Sequence, residues 1–324
     1  MTKVLGMGNA LVDVLAIIDN DNILQRLDLP KGSMQLIDES QFKNISEEIN
    51  KLNPSIVAGG SASNTIVGMS RLGIKTGFLG RIGKDFFGKY YKADLDKHQV
   101  KSHLTEVDEA SGVASTFISK DGERTFGTYL GAAALLNAGE LKKEDFEGYD
   151  YFYIEGYLVQ SYDLIRKAIV LAKEAGSKVI LDMASYNVVE ANIDFLNEII
   201  PQYVDIVFAN EEEAKSLLNM NPEDAVSELA KQTEIAIVKT GAKGSWIQRG
   251  NEKVFVPAQK VNCIDTTGAG DLYASGFLYG LINNRPLEVC GQIGTLLAAD
   301  VIQEIGPKIR EDRWNELLSV VKKA

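Results

Sequence analysis

Short apolar runs alternate with amphipathic stretches along most of the chain. Runs rich in β-branched residues predict strands over 4–8, 76–82, 151–155, 178–183, 204–209 and 235–239. Apolar residues at helical spacing predict helices over 42–52, 63–72, 86–98, 161–175 and 224–231. This alternation is typical of βα units, and it predicts an α/β fold with a mainly parallel sheet covered on both faces.

The C-terminal third has a different pattern. Residues 244–249 and 253–256 flank Gly250 and Asn251 and predict a hairpin. Three helices are then predicted over 269–282, 287–303 and 311–321.

Four further strand-like pieces interrupt the βα order. They cover 14–19, 32–37, 112–119 and 123–129, and they alternate polar and apolar residues as a one-sided sheet does. We expect them to form a small β lid, made of 14–37 and 112–129. The main domain then comprises 1–13, 38–111 and 130–324.

Composition excludes several classes of function. The 324 residues include 34 basic and 45 acidic ones, a formal net charge of −11, which disfavours binding to nucleic acid or to anionic lipid. Two cysteines and two histidines are too few for a disulfide framework or a cysteine-based zinc site. No apolar run approaches the length of a membrane span. We expect a cytoplasmic protein, monomer or homodimer, with a small-molecule substrate.

The segment DTTGAGD, residues 265–271, carries the clearest candidate chemistry. Its small residues lead into a helix, where the backbone N–H groups of Gly268, Ala269 and Gly270 could bind an anion. Asp271 could then accept a proton from a hydroxyl that attacks a phosphoryl group. Alternatively, Asp271 only stabilises the first helical turn.

Two other segments could bind a polyol. AGGSASN brings Gly59, Gly60 and Asn64 to the start of a helix, although an ordinary capped loop has the same pattern. Asn9 and Asp13 follow the first strand, at the edge of the sheet where α/β proteins bind ligands.

Two segments are consistent with nucleotide and metal binding. Asn210 and Glu213, three residues apart at a helix start, could hold Mg²⁺, or could form a capping box. The turn from Lys239 through Gly241 to Gly244 could accommodate phosphates and ribose, or could be a simple β-turn. Neither a P-loop nor a dinucleotide fingerprint is present.

Taken together and in order, these segments resemble the ribokinase (PfkB-type) family of sugar and nucleoside kinases. The resemblance rests on GMGNALVDV, AGGSASN, GRIGKDFFG, NEEE, KTGAKG and DTTGAGD, and it spans nearly the whole chain. Within the family, Asn9, Asp13 and the segments 129–134 and 286–288 resemble adenosine kinases. The resemblance implies a three-layer α/β/α domain with a β lid, and ATP and Mg²⁺ as co-substrate and cofactor.

The resemblance also implies roles for individual residues. Asp271 would be the general base, with Gly268, Ala269 and Gly270 as its anion hole. The remaining residues fall into three groups: Asn9, Asp13, Gly59, Gly60, Asn64 and Tyr157 for the acceptor; Asn210, Lys239, Thr240, Gly241, Gly244 and Thr267 for ATP; and Asn210 with Glu213 for Mg²⁺, through water. Asp265 and Thr267 resemble residues beside a monovalent-cation site, which makes K⁺ a candidate.

The expected reaction is transfer of the γ-phosphoryl group of ATP to the primary hydroxymethyl group of a ribonucleoside, with adenosine as first choice. Tyr157 is the expected stacking partner of the base, and Tyr186 and Asn187 occupy comparable stretches. A ribose or fructose kinase is the alternative. A ligand sensor without catalytic activity is the third hypothesis.

Overall fold

The fold is that of a computed structural model, which describes residues 2–323. The strands in this part of the chain are β1 (Lys3–Met7), β2 (Leu11–Ile17), β3 (Met34–Leu36), β4 (Ser55–Ala58), β5 (Lys75–Gly83), β6 (Lys101–Val107), β7 (Gly112–Ile118), β8 (Arg124–Tyr129), β9 (Tyr151–Glu155), β10 (Lys178–Asp182), β11 (Ile206–Asn210), β12 (Ile235–Lys239), β13 (Gly244–Arg249) and β14 (Glu252–Pro257). The α-helices are α1 (Asn22–Arg26), α2 (Glu39–Asn50), α3 (Ser61–Arg71), α4 (Phe86–Lys97), α5 (Tyr162–Glu174), α6 (Tyr186–Ala191), α7 (Ile193–Tyr203), α8 (Glu211–Leu218), α9 (Pro222–Leu229), α10 (Ala269–Ile282), α11 (Leu287–Val301) and α12 (Glu311–Val321).

The larger sheet has nine strands in the order β14-β13-β12-β11-β10-β9-β1-β5-β6. Its strands pair in parallel from β12 to β6, and the hairpin β13–β14 adds two antiparallel strands at one edge. Alternate residues of each central strand enter two separate cores; on β10, Val179 and Leu181 enter one and Ile180 the other. Apolar residues on both faces therefore require helices on both sides, which confirms the predicted α/β class.

Most predicted elements of the main sheet are present with small shifts at their ends. The strands β9 and β12 and the helices α10 and α12 have the predicted bounds. The edge strand β6 was not predicted, because its residues are mostly half-exposed and give no apolar run. The helices α6 and α7 were also missed. Among residues 2–323, no helix combines the length and apolar character needed to cross a bilayer.

The smaller sheet has five strands in the order β3-β8-β7-β2-β4. The strand β4 belongs to it although it lies outside the predicted lid segments, and α1 and α2 pack on one face through Ile23 and Ile45. All seven residues of β7 are buried, so the predicted one-sided alternation is wrong for this strand. The reason is its central position between β8 and β2, where Val113 and Phe117 pack in one core with α1 and α2. The proposed domain boundaries remain a prediction.

Candidate active site

Four adjacent parallel strands of the main sheet each end on a charged or polar residue. These are Glu155 on β9, Asp182 on β10, Asn210 on β11 and Lys239 on β12. The carboxyl ends of parallel strands meet at one edge of a sheet, where ligands of α/β proteins bind. A cleft of about 920 Å³ opens there, and the first turn of α10 forms part of its wall.

Asp271 lies in the first turn of α10, and its carboxylate is held from two sides by α3. The Ser61 hydroxyl donates to Oδ1 at 2.7 Å, and the Asn64 amide donates to Oδ2 at 2.9 Å. The surrounding protein excludes water and raises the pKa of Asp271 to about 6, while these two hydrogen bonds lower it. The carboxylate is therefore mostly ionised at neutral pH and can accept a proton.

The turn before α10 depends on the conformation of Gly268. Its φ of 77° is in the left-handed region, and a Cβ there would lie 2.8 Å from the backbone of Pro307. Gly268, Ala269 and Gly270 all line the cleft. The N–H group of Ala269 already donates to the carbonyl of Thr266 at 3.2 Å, so binding an anion there requires it to share or release that bond.

Tyr157, predicted for the acceptor, lines the large cleft, whereas the other predicted acceptor residues lie on the other side of Asp271, where the smaller sheet meets α3. The turn Gly59–Gly60 lies directly on β2, since a Cβ at Gly59 would be 2.4 Å from Oδ2 of Asp13. Exclusion of water raises the pKa of Asp13 to about 7, against the opposing charges of Lys308 and Arg124. Asn64 lines a second cavity of about 350 Å³.

Glu155, which was not predicted as a site residue, organises this side of the site. Its Oε1 accepts from the backbone and side-chain amides of Asn9, at 3.0 and 2.7 Å, and its Oε2 accepts from the N–H group of Ala62 at 3.0 Å. Burial raises its pKa to about 7 despite these bonds. Glu155 therefore ties the first strand–loop junction to the start of α3.

Asn210 and Glu213 form the capping box that was one of the two sequence interpretations. The Asn210 side chain accepts from the N–H groups of Glu212 and Glu213, and Glu213 accepts from both amides of Asn210 at 2.6 and 2.7 Å. Each Glu213 oxygen thus accepts one hydrogen bond and keeps a lone pair, which fits an Mg²⁺ ion held through its waters. Within residues 2–323 no group of three acidic, histidine or cysteine side chains forms a metal site.

Lys239 ends β12 inside the cleft and pairs with Asp182 at 3.2 Å. Gly241 and Gly244 also line the cleft. Thr240 is buried beside them, and its hydroxyl donates to the Gly244 carbonyl at 2.8 Å. This hydrogen bond stabilises the conformation of the turn.

The smaller sheet contacts the DTTGAGD turn through Arg124 of β8. Its guanidinium forms an ion pair with the buried carboxylate of Asp265 and donates to the Thr267 hydroxyl at 2.8 Å. Asp265 also accepts from the N–H groups of Thr267 and Gly306. The Thr267 side chain therefore faces the smaller sheet.

The model of the pfkB family carbohydrate kinases matches residues 33–313. The chain belongs to the PfkB family.

Several relatives of this PfkB protein span almost its full length. Adenosine kinase 2 of Arabidopsis thaliana is 28% identical over 329 residues, which cover 93% of this chain and 94% of that protein. The crystal structure of adenosine kinase from Sinorhizobium meliloti is similar with a TM-score of 0.87 and 31% identity, over 99% of both chains. A probable sugar kinase from Rhizobium etli has a TM-score of 0.88 and 31% identity, over 99% of this chain and 98% of that one.

These likenesses establish the class of reaction. The PfkB protein is a phosphotransferase with an alcohol group as acceptor, a nucleoside or sugar kinase with the ribokinase fold. ATP is the co-substrate expected for kinases of this family.

The structure distributes the predicted site residues over two sides of Asp271. Those that line the large cleft are Tyr157, Asn210, Glu213, Lys239, Gly241, Gly244, Gly268, Ala269, Gly270 and Asp271. Those that lie outside its lining are Asn9, Asp13, Gly59, Gly60, Asn64, Thr240 and Thr267. Glu155 and Asp182 were not predicted, although both are charged residues at the ends of apolar strands, a pattern that the sequence shows. Arg124 begins its strand and has no comparable sequence pattern that would have identified it as a site residue.

Proposed function

We propose that this kinase transfers the γ-phosphoryl group of ATP to the primary hydroxymethyl group of a ribonucleoside, with adenosine as the preferred acceptor. The observation that carries the proposal is the position of Asp271. Its carboxylate lies in the wall of the large cleft and is bonded to Asn64, which belongs to the acceptor side. We therefore assign Asp271 to the junction between the two substrates.

The proposed chemistry follows from this position. Asp271 takes the proton of the acceptor hydroxyl as its oxygen forms a bond to the γ-phosphorus. The bond between that phosphorus and the bridging oxygen breaks, and ADP leaves with the electron pair. The N–H groups of Gly268, Ala269 and Gly270 stabilise the negative charge on the phosphoryl oxygens, at the positive end of the 14-residue helix α10.

We assign the ATP side to Asn210, Lys239, Gly241 and Gly244, with Thr240 shaping the turn between the last two. Asn210 and Glu213 would hold Mg²⁺ through water, and the bound ion would neutralise charge on the phosphates. Arg124 supplies the positive charge beside Asp265 and Thr267, so no role is assigned to K⁺.

Adenosine is favoured by apolar surface on the same face of the lid as Asp13. Asp13, Ala114, Thr128 and Leu36 are paired in register across four strands, and paired residues point to the same face. Leu36 and its neighbour Met34 are large, apolar and exposed. We assign these two residues and Tyr157, which lies in the wall of the cleft, to the purine base, beyond ribose hydroxyls held by Asp13.

A sugar kinase is the second candidate, because the likeness to the Rhizobium etli sugar kinase is as strong as that to the adenosine kinase. The two candidate functions differ in whether they require stacking on Tyr157. Replacing Tyr157 with Ala should raise the KM for adenosine at least tenfold, since stacking is lost, whereas Tyr157→Phe should leave it nearly unchanged. Equal turnover of ribose in all three proteins, with none of adenosine, would favour the sugar kinase.

The deciding experiment is ADP release from Mg·ATP in the presence of adenosine, other ribonucleosides, ribose or fructose, each alone. Strong turnover of adenosine is the expected result, and it would place the protein in purine salvage. Turnover of sugars alone would reject the nucleoside proposal. Binding of a nucleoside without ADP from any acceptor would support a sensor. Action in the cytoplasm, as monomer or homodimer, remains a prediction from the sequence.

A further inference from the structure

The ammonium group of Lys239 lies over the first turn of α10. A Cβ built on Gly270 would be 3.3 Å from its Nζ, so the group stands beside the backbone that we assign to the anion hole. The side chain is 17% exposed and extends from the end of β12 across the cleft. Its charge therefore lies next to the position that we assign to the phosphoryl group.

The charges around Lys239 are mostly negative. Its ion-pair partner is Asp182, and Glu213 and Asp271 also act on it electrostatically. Among residues 2–323, the basic residues that line the large cleft are Lys239 and Lys260, and Lys260 is exposed. Lys239 is therefore the enclosed cation that a phosphate could contact in this part of the cleft. Among the described residues, its one ion-pair partner is the carboxylate of Asp182.

We propose that Lys239 is a catalytic residue, which donates a hydrogen bond to the γ-phosphoryl group as it passes from ATP to the acceptor. This inference rests on the proposed function. The acceptor oxygen bonds to phosphorus, the bond to the bridging oxygen of ADP breaks, and the hydroxyl proton goes to Asp271. Lys239 keeps its own protons and stabilises the charge that builds up on the oxygens during transfer.

Asp182 is the positioning residue for Lys239. Its own orientation is constrained, since Oδ1 accepts from the N–H group of Ala184 at 3.2 Å and Oδ2 accepts from the Tyr153 hydroxyl at 3.3 Å. Ala184 has a φ of 65°, which is rare for a residue with a Cβ and is held here by that contact. The carboxylate thus keeps the long lysine side chain directed at the start of α10.

A structural role for Lys239, neutralising Asp182, must be separated from a catalytic one. Lys239→Met alone leaves a charge unpaired in the cleft and can unfold the protein. The test therefore uses Asp182→Asn as reference and the double variant Asp182→Asn, Lys239→Met, in which neither partner is charged. We expect kcat of the double variant to be about 100-fold below that of the reference, the cost of one lost transition-state donor. ADP affinity should be similar in both.

Lys239→Arg, which keeps the charge, should retain more activity than the double variant. Lys178→Met serves as the matched control, because Lys178 begins β10 at the opposite end of the sheet and is half-exposed. This control should have the activity of the unmodified protein. A double variant with kcat within threefold of the reference would show that Lys239 only balances charge.

Binding gives a readout that does not depend on turnover. The ratio of the Kd for ADP to that for a non-hydrolysable ATP analogue measures the contact to the γ-phosphate, and it should fall about tenfold when Lys239 is lost. If the unmodified protein phosphorylates none of the acceptors, the proposed function fails, but this ratio still tests Lys239. An unchanged ratio would overturn the proposal.

Discussion

The two sides of the cleft are held together in different ways. On the phosphate side, several hydrogen bonds join residues two to four positions apart, as in Asn210–Glu213 and Thr240–Gly244, although Lys239 and Asp182 are 57 positions apart. On the acceptor side, the partners are far apart in sequence: Ser61 and Asp271 are 210 positions apart, and Ala62 and Glu155 are 93 apart. A local bond forms with its helix or turn, whereas a long-range bond forms only when the whole domain has folded.

This difference has a consequence for mutations. Loss of a local bond should destabilise one helix or turn and alter ATP binding modestly. Loss of a long-range bond should disturb several elements at once, because Glu155 and Asp271 each join segments from distant parts of the chain. Asp271 belongs to both sides, and its substitution should therefore have the largest effect on activity.

Asp271→Asn should lower kcat about 10³-fold, because the variant side chain cannot take the proton of the acceptor hydroxyl. ATP affinity, measured by calorimetry, should change little. The matched control is Asp163→Asn, which removes an acidic residue from the first turn of α5. If Asp271 only stabilised its helix, both variants would keep their activity and lose similar stability.

Glu155→Gln tests the acceptor side through the pH dependence of stability. Glu155 holds its proton up to a pH of about 7 in the folded chain and up to about 4.5 when unfolded, a difference worth roughly 3 kcal/mol. A raised pKa means that the folded state binds the proton more tightly. The stability from this group is therefore complete below pH 4.5 and lost as the pH rises to 7.

The measurement is urea unfolding of the unmodified protein and of Glu155→Gln at several pH values from 4.5 to 8. The difference in free energy of unfolding should move in favour of the variant as the pH rises. Asp13 and Asp271, whose pKa values are also raised, keep their contributions in both proteins. Parallel curves for the two proteins would show that Glu155 does not titrate in this range.

Asp13→Asn should raise the KM for the acceptor 10- to 100-fold, roughly the worth of a hydrogen bond to a charged group, with the KM for ATP unchanged. Asp19→Asn is the control, because Asp19 follows the same strand and is fully solvent-accessible. An equal rise in both KM values would mean that Asp13 affects the whole cleft rather than the acceptor alone.

Asn210→Ala should have the smallest effect, a loss of about 1 kcal/mol in the free energy of unfolding, as for other helix caps. Asn221→Ala removes the corresponding cap of α9, away from the cleft, and should cost a similar amount. The KM for Mg·ATP should rise only in Asn210→Ala. A rise in both variants would assign the effect to stability.

The sequence by itself determined the class of fold and the local parts of the site. Apolar strands such as β12 and amphipathic helices such as α5 have periodicities that follow from which faces are buried, and these are local properties. The capping box at Asn210 was predicted for the same reason, because its partners are three residues apart. The motif around Asp271 was recognisable from its small residues.

The tertiary structure alone decided which side chains surround that motif. Neither the contact between Glu155 and Asn9 nor the ion pair between Arg124 and Asp265 has a local pattern, because each joins segments more than 140 positions apart. The burial of both faces of β7 likewise depends on its central position in a sheet. Local sequence encodes which elements form, but the order of strands and the packing of the smaller sheet against the main domain bring the acceptor side together.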